Sequence, residues 1–151
     1  MIKGIWFFGL SGSGKSYASR FIKKNFLNGV VLDGDQVRKY VSFDLGYSLV
    51  DREMQIKRVF GISKILLKSN LFPIVSTVYF DQNINSLCRK EKILVVKITR
   101  TNIKDVMSYH KTYKLKSNVV GVDIKYPKIK CLTISNRGDL DFCKKLNLLI
   151  Y

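Results

Sequence analysis

Residues 9–16, GLSGSGKS, have the types and spacing of a loop that binds phosphate groups. In the pattern G-x4-G-K-S, glycines let backbone N–H groups point at an anion without interference from a Cβ atom. Lys15 would reach the β- and γ-phosphates of a nucleotide, and the Ser16 hydroxyl would ligate Mg²⁺. We therefore expect ATP and Mg²⁺ as cofactors, with the nucleotide held by Gly9, Ser11, Gly12, Ser13, Gly14, Lys15, Ser16 and Tyr17.

A second polar segment, LDGDQVR at residues 32–38, directly follows a short apolar run. Asp33 would lie near the γ-phosphate, where a carboxylate can hold the metal through water or accept the proton of an acceptor hydroxyl. Arg38, one turn into the following helix, could make a forked contact with an anionic acceptor. The sequence has no NKxD motif and no convincing DxxG switch, the marks of a GTPase. These features favour a small-molecule kinase with Lys15 and Asp33 as catalytic residues and Ser16 and Asp33 as metal-binding residues.

Apolar runs that alternate with helical patterns position these motifs along the chain. Strands are predicted at residues 2–8, 30–32, 72–77, 93–98 and 131–134. Helices are predicted at 15–25, at 51–67 with Asp51 as the N-cap, from about 102, and at 139–146. Such an alternation indicates a parallel sheet covered on both faces, with ligands bound at the carboxyl ends of its strands. We therefore expect one cleft to collect residues 9–16, 33–38 and 76–80.

The composition is typical of a single globular domain over residues 1–151, with 46% hydrophobic and 25% charged residues. The apolar stretch at residues 5–10 is too short for a membrane span or a secretory signal. Three cysteines without a CxxC pair are typical of free thiols in a reducing compartment. We therefore expect a cytoplasmic protein.

The formal net charge of +16 could indicate a polyanionic partner. The basic residues are spread over both halves of the chain, which is also typical of a solvated lysine-rich surface. In the densest cluster only Asp123 offsets the charge, and this cluster fits a loop that closes over phosphates. Its members are Lys111, Lys114, Lys116, Lys125, Lys128 and Lys130.

Four blocks of this sequence, in order and with similar spacing, resemble the adenylyl-sulfate kinase family of P-loop kinases. GLSGSGKS, LDGDQVR, DLGYS at 44–48 and DREMQIKR at 51–58 are similar to the family's GLSGSGKST, LDGDNVR, DLGFS and DRxxNIRR. NVVGVDIKY at 118–126 is more loosely similar to NFTGIDSPY. The resemblance implies a three-layer α/β P-loop kinase fold. It would have a mostly parallel five-stranded sheet, helices on both faces and a short lid at about 109–127.

The resemblance also implies a reaction, the transfer of the γ-phosphoryl group of ATP to the ribose 3′-hydroxyl of a nucleotide with a small 5′-linked anion. Asp33 would act as base or metal partner, and residues 113–120 would belong to the closing lid. The implied partners are a small-molecule nucleotide and, as is common in the family, a second copy of the chain. A membrane is not expected as a partner, and nucleic acid is not favoured. The implied acceptor-binding residues are Asp35, Arg38, Tyr47, Arg52, Gln55, Ser76, Lys114 and Val119.

Departures from the family pattern concentrate on the acceptor side. Gln55 replaces an asparagine, Val119 replaces the aromatic residue that stacks on the acceptor base, and residues 77–83 lack the arginine of the family's SPYR segment. Tyr109 and His110 replace an Arg-Asp pair in a shorter lid. Relatives that resemble this chain in lacking the SPYR block phosphorylate cytidine diphosphoramidate and are associated with capsule or cell-surface polysaccharide modification. Adenylyl sulfate and cytidine diphosphoramidate therefore have equal weight as acceptors.

Two other functions stay open on the sequence alone. The positive net charge is consistent with a kinase or binding protein that acts on nucleic-acid ends. Such a protein would bind single strands with a steep salt dependence and would phosphorylate no free nucleotide. The shorter lid without its Arg-Asp pair is consistent with an ATP-binding module that has no catalytic activity. In such a module Asp33→Asn would change no activity.

Overall fold

The computed structural model describes residues 1–138 and 140–150. One five-stranded sheet forms its centre, with the strand order β2-β3-β1-β4-β5 and parallel pairing between all neighbours. The strands are β1 (Gly4–Phe8), β2 (Gly29–Asp33), β3 (Phe72–Thr77), β4 (Ile93–Arg100) and β5 (Leu132–Asn136). The strands β1 and β3 lie inside the sheet and are buried along their whole length, which explains why their sequences are apolar runs.

Helices cover both faces of the sheet, which confirms the three-layer α/β fold. In the described part of the chain they are α1 (Lys15–Lys23), α2 (Gly34–Tyr40), α3 (Leu49–Lys68), α4 (Gln82–Lys90), α5 (Ile103–Tyr109), a 3₁₀ helix at Lys111–Lys114, and α6 (Leu140–Asn147). The predicted helix at 139–146 starts at a residue outside the described ones. Across residues 1–138 and 140–150, no helix is both long enough and apolar enough to cross a lipid bilayer.

The side chains of β1 alternate between two hydrophobic cores. Trp6 and Phe8 pack in a cluster with residues of α3 and α4. Ile5 and Phe7 pack on the opposite face with residues of α1 and α6. Because β1 is held from both sides, the phosphate loop that follows it starts from a fixed point.

The start of α3 differs from the prediction that Asp51 is its N-cap. Ser48 is the N-cap, and its Oγ accepts a hydrogen bond from the backbone N–H of Asp51 at 3.2 Å. The Asp51 carboxylate in turn accepts from the backbone N–H of Ser48 at 3.2 Å. This capping box satisfies two N–H groups that the helix leaves unpaired, and it places the N-cap three residues earlier than predicted.

The helix α4 has no counterpart among the predicted elements. The carboxylate of Asp81 accepts a hydrogen bond from the backbone N–H of Ile84 at 2.8 Å and so caps its first turn. Ile84 and Cys88, four residues apart, are buried in the core beside α3. Ile84, Leu87 and Cys88 have helical spacing and Asp81 is a recognisable N-cap residue, so the sequence contains two signals that could have identified this helix.

Candidate active site

A cavity of about 720 Å³ opens at the carboxyl ends of the central strands. Residues of the phosphate loop, the β2–α2 junction, α3, the end of β3 and the segment after α5 line it together. Eleven of the predicted site residues line this cavity: Ser11, Gly12, Lys15, Ser16, Asp33, Asp35, Arg38, Tyr47, Arg52, Gln55 and Ser76. The predicted meeting of residues 9–16, 33–38 and 76–80 in one cleft is therefore what the structure shows.

Four successive carbonyl oxygens of the phosphate loop each accept a hydrogen bond from a side chain. The donors come from α1, from the 3₁₀ helix and from the ends of β4 and β5. The pairs are Lys15 Nζ to Leu10 O (2.8 Å), Tyr113 Oη to Ser11 O (2.7 Å), Arg100 Nη1 to Gly12 O (3.1 Å) and Asn136 Nδ2 to Ser13 O (2.9 Å). These bonds fix the orientation of the peptide groups in a loop whose N–H groups would contact phosphate.

The glycines of the loop are required by backbone conformation and by close neighbours. Gly12 and Gly14 have φ values of 80° and 105°, which side chains rarely tolerate. A Cβ atom on Gly14 would also lie 2.3 Å from Nδ2 of Asn136. At Gly9 a Cβ atom would lie 2.2 Å from the carbonyl oxygen of Ile98. The predicted residues Gly9, Ser13 and Gly14 shape the loop without lining the cavity, and Ser13 is 1% exposed.

Lys15 is a buried cation, with 8% of the residue exposed. Burial lowers its pKa to about 8, and the negative charges of Asp35 and Asp33 oppose this shift. Within residues 1–138 and 140–150 the ammonium group makes no ion pair within 4 Å and instead donates to the carbonyl of Leu10. A polyphosphate in the cavity would supply the anionic partner that the ammonium group lacks.

The carboxylate of Asp33 is held between α2 and the phosphate loop. One oxygen accepts from the backbone N–H of Asp35 at 2.9 Å, so Asp33 is the N-cap of α2. The other oxygen accepts from the hydroxyls of Ser16 at 3.1 Å and Ser76 at 3.4 Å. A hydroxyl and a carboxylate are hard oxygen ligands of the kind that Mg²⁺ accepts beside phosphates and water. The donor set of Ser16 and Asp33 therefore fits the predicted metal.

Two guanidinium groups and one aromatic ring form the opposite end of the site. Arg38 and Arg52 lie 4.5 Å and 5.6 Å from the ring centroid of Tyr47. Arg52 is 9% exposed, and it donates to the carbonyls of Tyr47 at 3.1 Å and Asn118 at 2.6 Å. Burial and the neighbouring charge of Arg38 both lower the pKa of Arg52. Neither arginine makes an ion pair within residues 1–138 and 140–150, so the two together favour an anionic ligand.

The structure does not place the side chains of Tyr17 and Lys114 at the cavity. The Tyr17 hydroxyl lies 3.2 Å from Sγ of Cys143, and its ring packs near Phe142, so the side chain joins α1 to α6. Lys114 is exposed, while Thr112 and Leu115 on either side of it line the cavity. The direction of the 3₁₀ helix decides which of these side chains line the cavity, and residue spacing in the sequence does not predict that direction.

Val119 is also absent from the cavity lining, and its neighbour Val120 lines it instead. Val119 is 1% exposed, and the carboxylate of Asp123 accepts hydrogen bonds from the backbone N–H groups of Asn118 and Val119. The resulting tight turn directs the side chain of Val119 away from the cavity. The expected contact of Val119 with the acceptor base is therefore not what the geometry shows.

Three residues that hold the phosphate loop were absent from the predicted site. Arg100 and Asn136 are the last residues of β4 and β5. Their positions at carboxyl ends of parallel strands are a signal that could have identified them. Tyr113 was predicted only as part of the lid, and its contact with Ser11 has no local sequence signal.

A family model described as "Adenylylsulphate kinase" matches residues 2–116 of the chain. Among curated proteins, the adenylyl-sulfate kinase of Buchnera aphidicola subsp. Acyrthosiphon pisum is 38% identical over 90 residues, covering 57% of this chain and 44% of that protein. The adenylyl-sulfate kinase of Bacteroides thetaiotaomicron is 37% identical over 87 residues, covering 55% and 43% respectively. The chain thus spans less than half the length of these curated relatives.

Solved structures share the fold at low sequence identity. The Mycobacterium tuberculosis APS kinase CysC, solved in complex with AMPPNP and APS, has a TM-score of 0.76 and 23% identity, covering 99% of this chain and 98% of that chain. A hexameric APS kinase from Thiobacillus denitrificans has a TM-score of 0.64 and 19% identity, covering 99% and 28%. These likenesses show the P-loop kinase fold. Because the family model covers the phosphate loop, the Asp33 segment and α3 in one continuous match, the chain belongs to the adenylylsulphate kinase family.

Proposed function

We propose that the chain is an ATP-dependent kinase that phosphorylates the ribose 3′-hydroxyl of a nucleotide with a small 5′-linked anion. One observation carries this proposal. The Asp33 carboxylate lies 3.1 Å from the Ser16 hydroxyl, and the same cavity contains the paired arginines Arg38 and Arg52. The cavity therefore offers a donor end for MgATP and an acceptor end for a second anion.

The donor end would bind the phosphates of ATP. Loop N–H groups and the N-terminus of α1 would surround them, and Lys15 would exchange its bond to Leu10 for a contact with the transferred group. Ser16 and Asp33 would hold Mg²⁺, which, when bound, neutralises charge on the phosphates.

The acceptor end would orient the nucleotide that receives the phosphoryl group. Asp33 would accept the proton of the 3′-hydroxyl, and its hydrogen bonds from Asp35 and Ser76 would keep the carboxylate in place. Arg38 and Arg52 would neutralise the 5′-linked anion, and their contact with Tyr47 would hold the two guanidinium groups together. A homodimer and a cytoplasmic location stay predictions.

Two acceptors have separate support. The names of the curated relatives and the family model support adenylyl sulfate. The altered residues 77–83 and Gln55 support cytidine diphosphoramidate, an acceptor associated with capsule polysaccharide modification. The replacement at position 119 no longer bears on this choice, because the Val119 side chain does not line the cavity.

The direct test supplies MgATP with adenylyl sulfate and with cytidine diphosphoramidate in parallel reactions. We expect ADP release with one acceptor and a new 3′-phosphate signal in the ³¹P NMR spectrum. Asp33→Asn should abolish both signals, whereas Asp105→Asn, at an exposed position of α5, should leave them unchanged. No ADP release above background with either acceptor would contradict the proposal and favour the silent ATP-binding module.

A kinase for nucleic-acid ends is the second candidate, and surface charge favours it. Six lysines of the segment after α5 are exposed: Lys111, Lys114, Lys116, Lys125, Lys128 and Lys130. Phosphorylation of an oligonucleotide end, with affinity that falls steeply as salt rises, would establish this function. Phosphorylation of a free nucleotide, without phosphorylation of any oligonucleotide end, would exclude a kinase for nucleic-acid ends.

A further inference from the structure

Gln55 of α3 is a buried polar side chain in the wall of the cavity, with 5% of the residue exposed. Its Nε2 donates a hydrogen bond to the carbonyl oxygen of Gly34 at 3.0 Å. A carbonyl oxygen only accepts hydrogen bonds, so the nitrogen of the amide must face Gly34. The oxygen Oε1 is buried and has no hydrogen-bond partner within residues 1–138 and 140–150.

Three cationic side chains of the same cavity are bonded elsewhere. Arg52, three residues earlier on α3, donates to Tyr47 and Asn118. Arg38 donates to Gly46, and Lys15 donates to Leu10. A buried acceptor without a partner destabilises the protein, and most such groups in native structures are paired. Because Gln55 lines the cavity, its missing donor can come from the molecule that occupies the cavity.

On the basis of the proposed function, we propose that Oε1 of Gln55 accepts a hydrogen bond from an N–H or O–H group on the ribose or the 5′-linked anion of the acceptor nucleotide. Gln55 then selects acceptors that carry this donor. Residues three apart on a helix share a face, so Gln55 lies beside Arg52 and the anion that Arg52 would bind. An ionised sulfate presents only acceptor oxygens there, whereas an amidated phosphate presents N–H groups.

The test compares acceptors that differ by one hydrogen-bond donor. The first pair is cytidine diphosphoramidate and cytidine diphosphate, in which a terminal oxygen replaces the NH₂ group. The second pair is adenylyl sulfate and its 2′-deoxy analogue. For each pair the ratio of Kd values is measured by calorimetry with AMPPNP and Mg²⁺ present, and the ratio of kcat/KM values is measured with ATP.

Gln55→Met removes the acceptor at nearly constant size, and Gln36→Met makes the same change at an exposed position of α2 outside the cavity. We expect the wild-type preference for the donor-bearing member of at least one pair to fall about tenfold or more in Gln55→Met and to persist in Gln36→Met. If thermal unfolding shows that Gln55→Met is not folded, Gln55→Asn, which withdraws the oxygen by one methylene, should lower the same ratio.

Different results would overturn the role of Gln55 and the proposed kinase activity. Unchanged Kd and kcat/KM ratios for both pairs in the folded Gln55 variant would overturn the role of Gln55, even if phosphorylation is normal. Gln55-dependent binding without any phosphoryl transfer would support the role of Gln55 and overturn the kinase activity. Absence of binding for all four nucleotides would overturn both.

Discussion

The phenolic hydroxyl of Tyr113 donates a hydrogen bond to the carbonyl oxygen of Ser11, 2.7 Å away. This bond ties the 3₁₀ helix of the predicted lid to the phosphate loop, although 102 residues separate the two positions along the chain. The ring of His110, which lines the cavity, lies 5.8 Å from the ring of Tyr113. This hydrogen bond therefore links the conformation of the lid to that of the loop.

Tyr113→Phe should weaken ATP binding by removing this link. The net value of one such hydrogen bond is about 1 kcal/mol, which corresponds to a roughly fivefold higher KM for ATP. Tyr109→Phe, at an exposed position near the end of α5, serves as the matched control. Steady-state kinetics measures both variants, and an unchanged KM for ATP in Tyr113→Phe would show that ATP binding does not depend on this hydrogen bond.

Lys15→Met should abolish phosphoryl transfer and yet stabilise the ligand-free protein. Burial lowers the Lys15 pKa from 10.5 to about 8, so the folded state binds this proton less tightly than the unfolded chain. Below pH 8 both states hold the proton, and the full penalty, on the order of 3 kcal/mol, opposes folding. Between pH 8 and 10.5 only the unfolded chain keeps the proton. The contribution of Lys15 to the free energy of unfolding therefore rises with pH in this range.

Urea denaturation at pH 7 and at pH 10 measures this effect. We expect Lys15→Met to exceed the wild type in free energy of unfolding at pH 7, and the gain to shrink at pH 10. Lys57→Met, at an exposed position of α3, should show no such pH-dependent gain. A Lys15→Met variant that is less stable than the wild type at pH 7 would contradict this account of the buried cation.

Gly14→Ala should destabilise the phosphate loop for two independent reasons. The φ value of 105° is unfavourable for alanine, by at least about 1 kcal/mol, and the new Cβ would lie 2.3 Å from Nδ2 of Asn136. Because Asn136 also donates to Ser13, the comparison is made in an Asn136→Ala background, where the overlap is absent but the backbone strain remains. Gly14→Ala should lower thermal stability less in that background than in the wild type, and no loss at all there would show that the contact with Asn136 is the whole effect.

Arg52→Ala should mainly impair use of the acceptor. If Arg52 neutralises a buried anion, its loss should weaken acceptor binding by roughly 2–5 kcal/mol while changing the KM for ATP little. Arg58→Ala on the same helix removes a surface ion pair with Asp44 and provides the control. Kinetics with each substrate varied in turn separates the two effects, and an equal rise of both KM values would argue against a separate acceptor end.

Local patterns in the sequence determined the parallel sheet, the phosphate loop and the positions of Lys15, Ser16 and Asp33. Backbone geometry and hydrophobic periodicity act over a few residues, and the carboxyl ends of parallel strands must meet at one edge of a sheet. These rules were sufficient to bring the segments at 9–16, 33–38 and 76–80 together at one cavity, whereas Tyr47, Arg52 and Gln55 were expected there from the family resemblance.

Only the tertiary structure decided which side chains complete the site. Arg100, Tyr113 and Asn136 hold loop carbonyls that lie 88, 102 and 123 residues away in sequence. The burial of the Val119 side chain away from the cavity and the unpaired oxygen of Gln55 likewise depend on neighbours that residue spacing does not specify. Such contacts exist only after the chain has closed long loops around the sheet, because their geometry is set by packing between elements rather than by the local backbone.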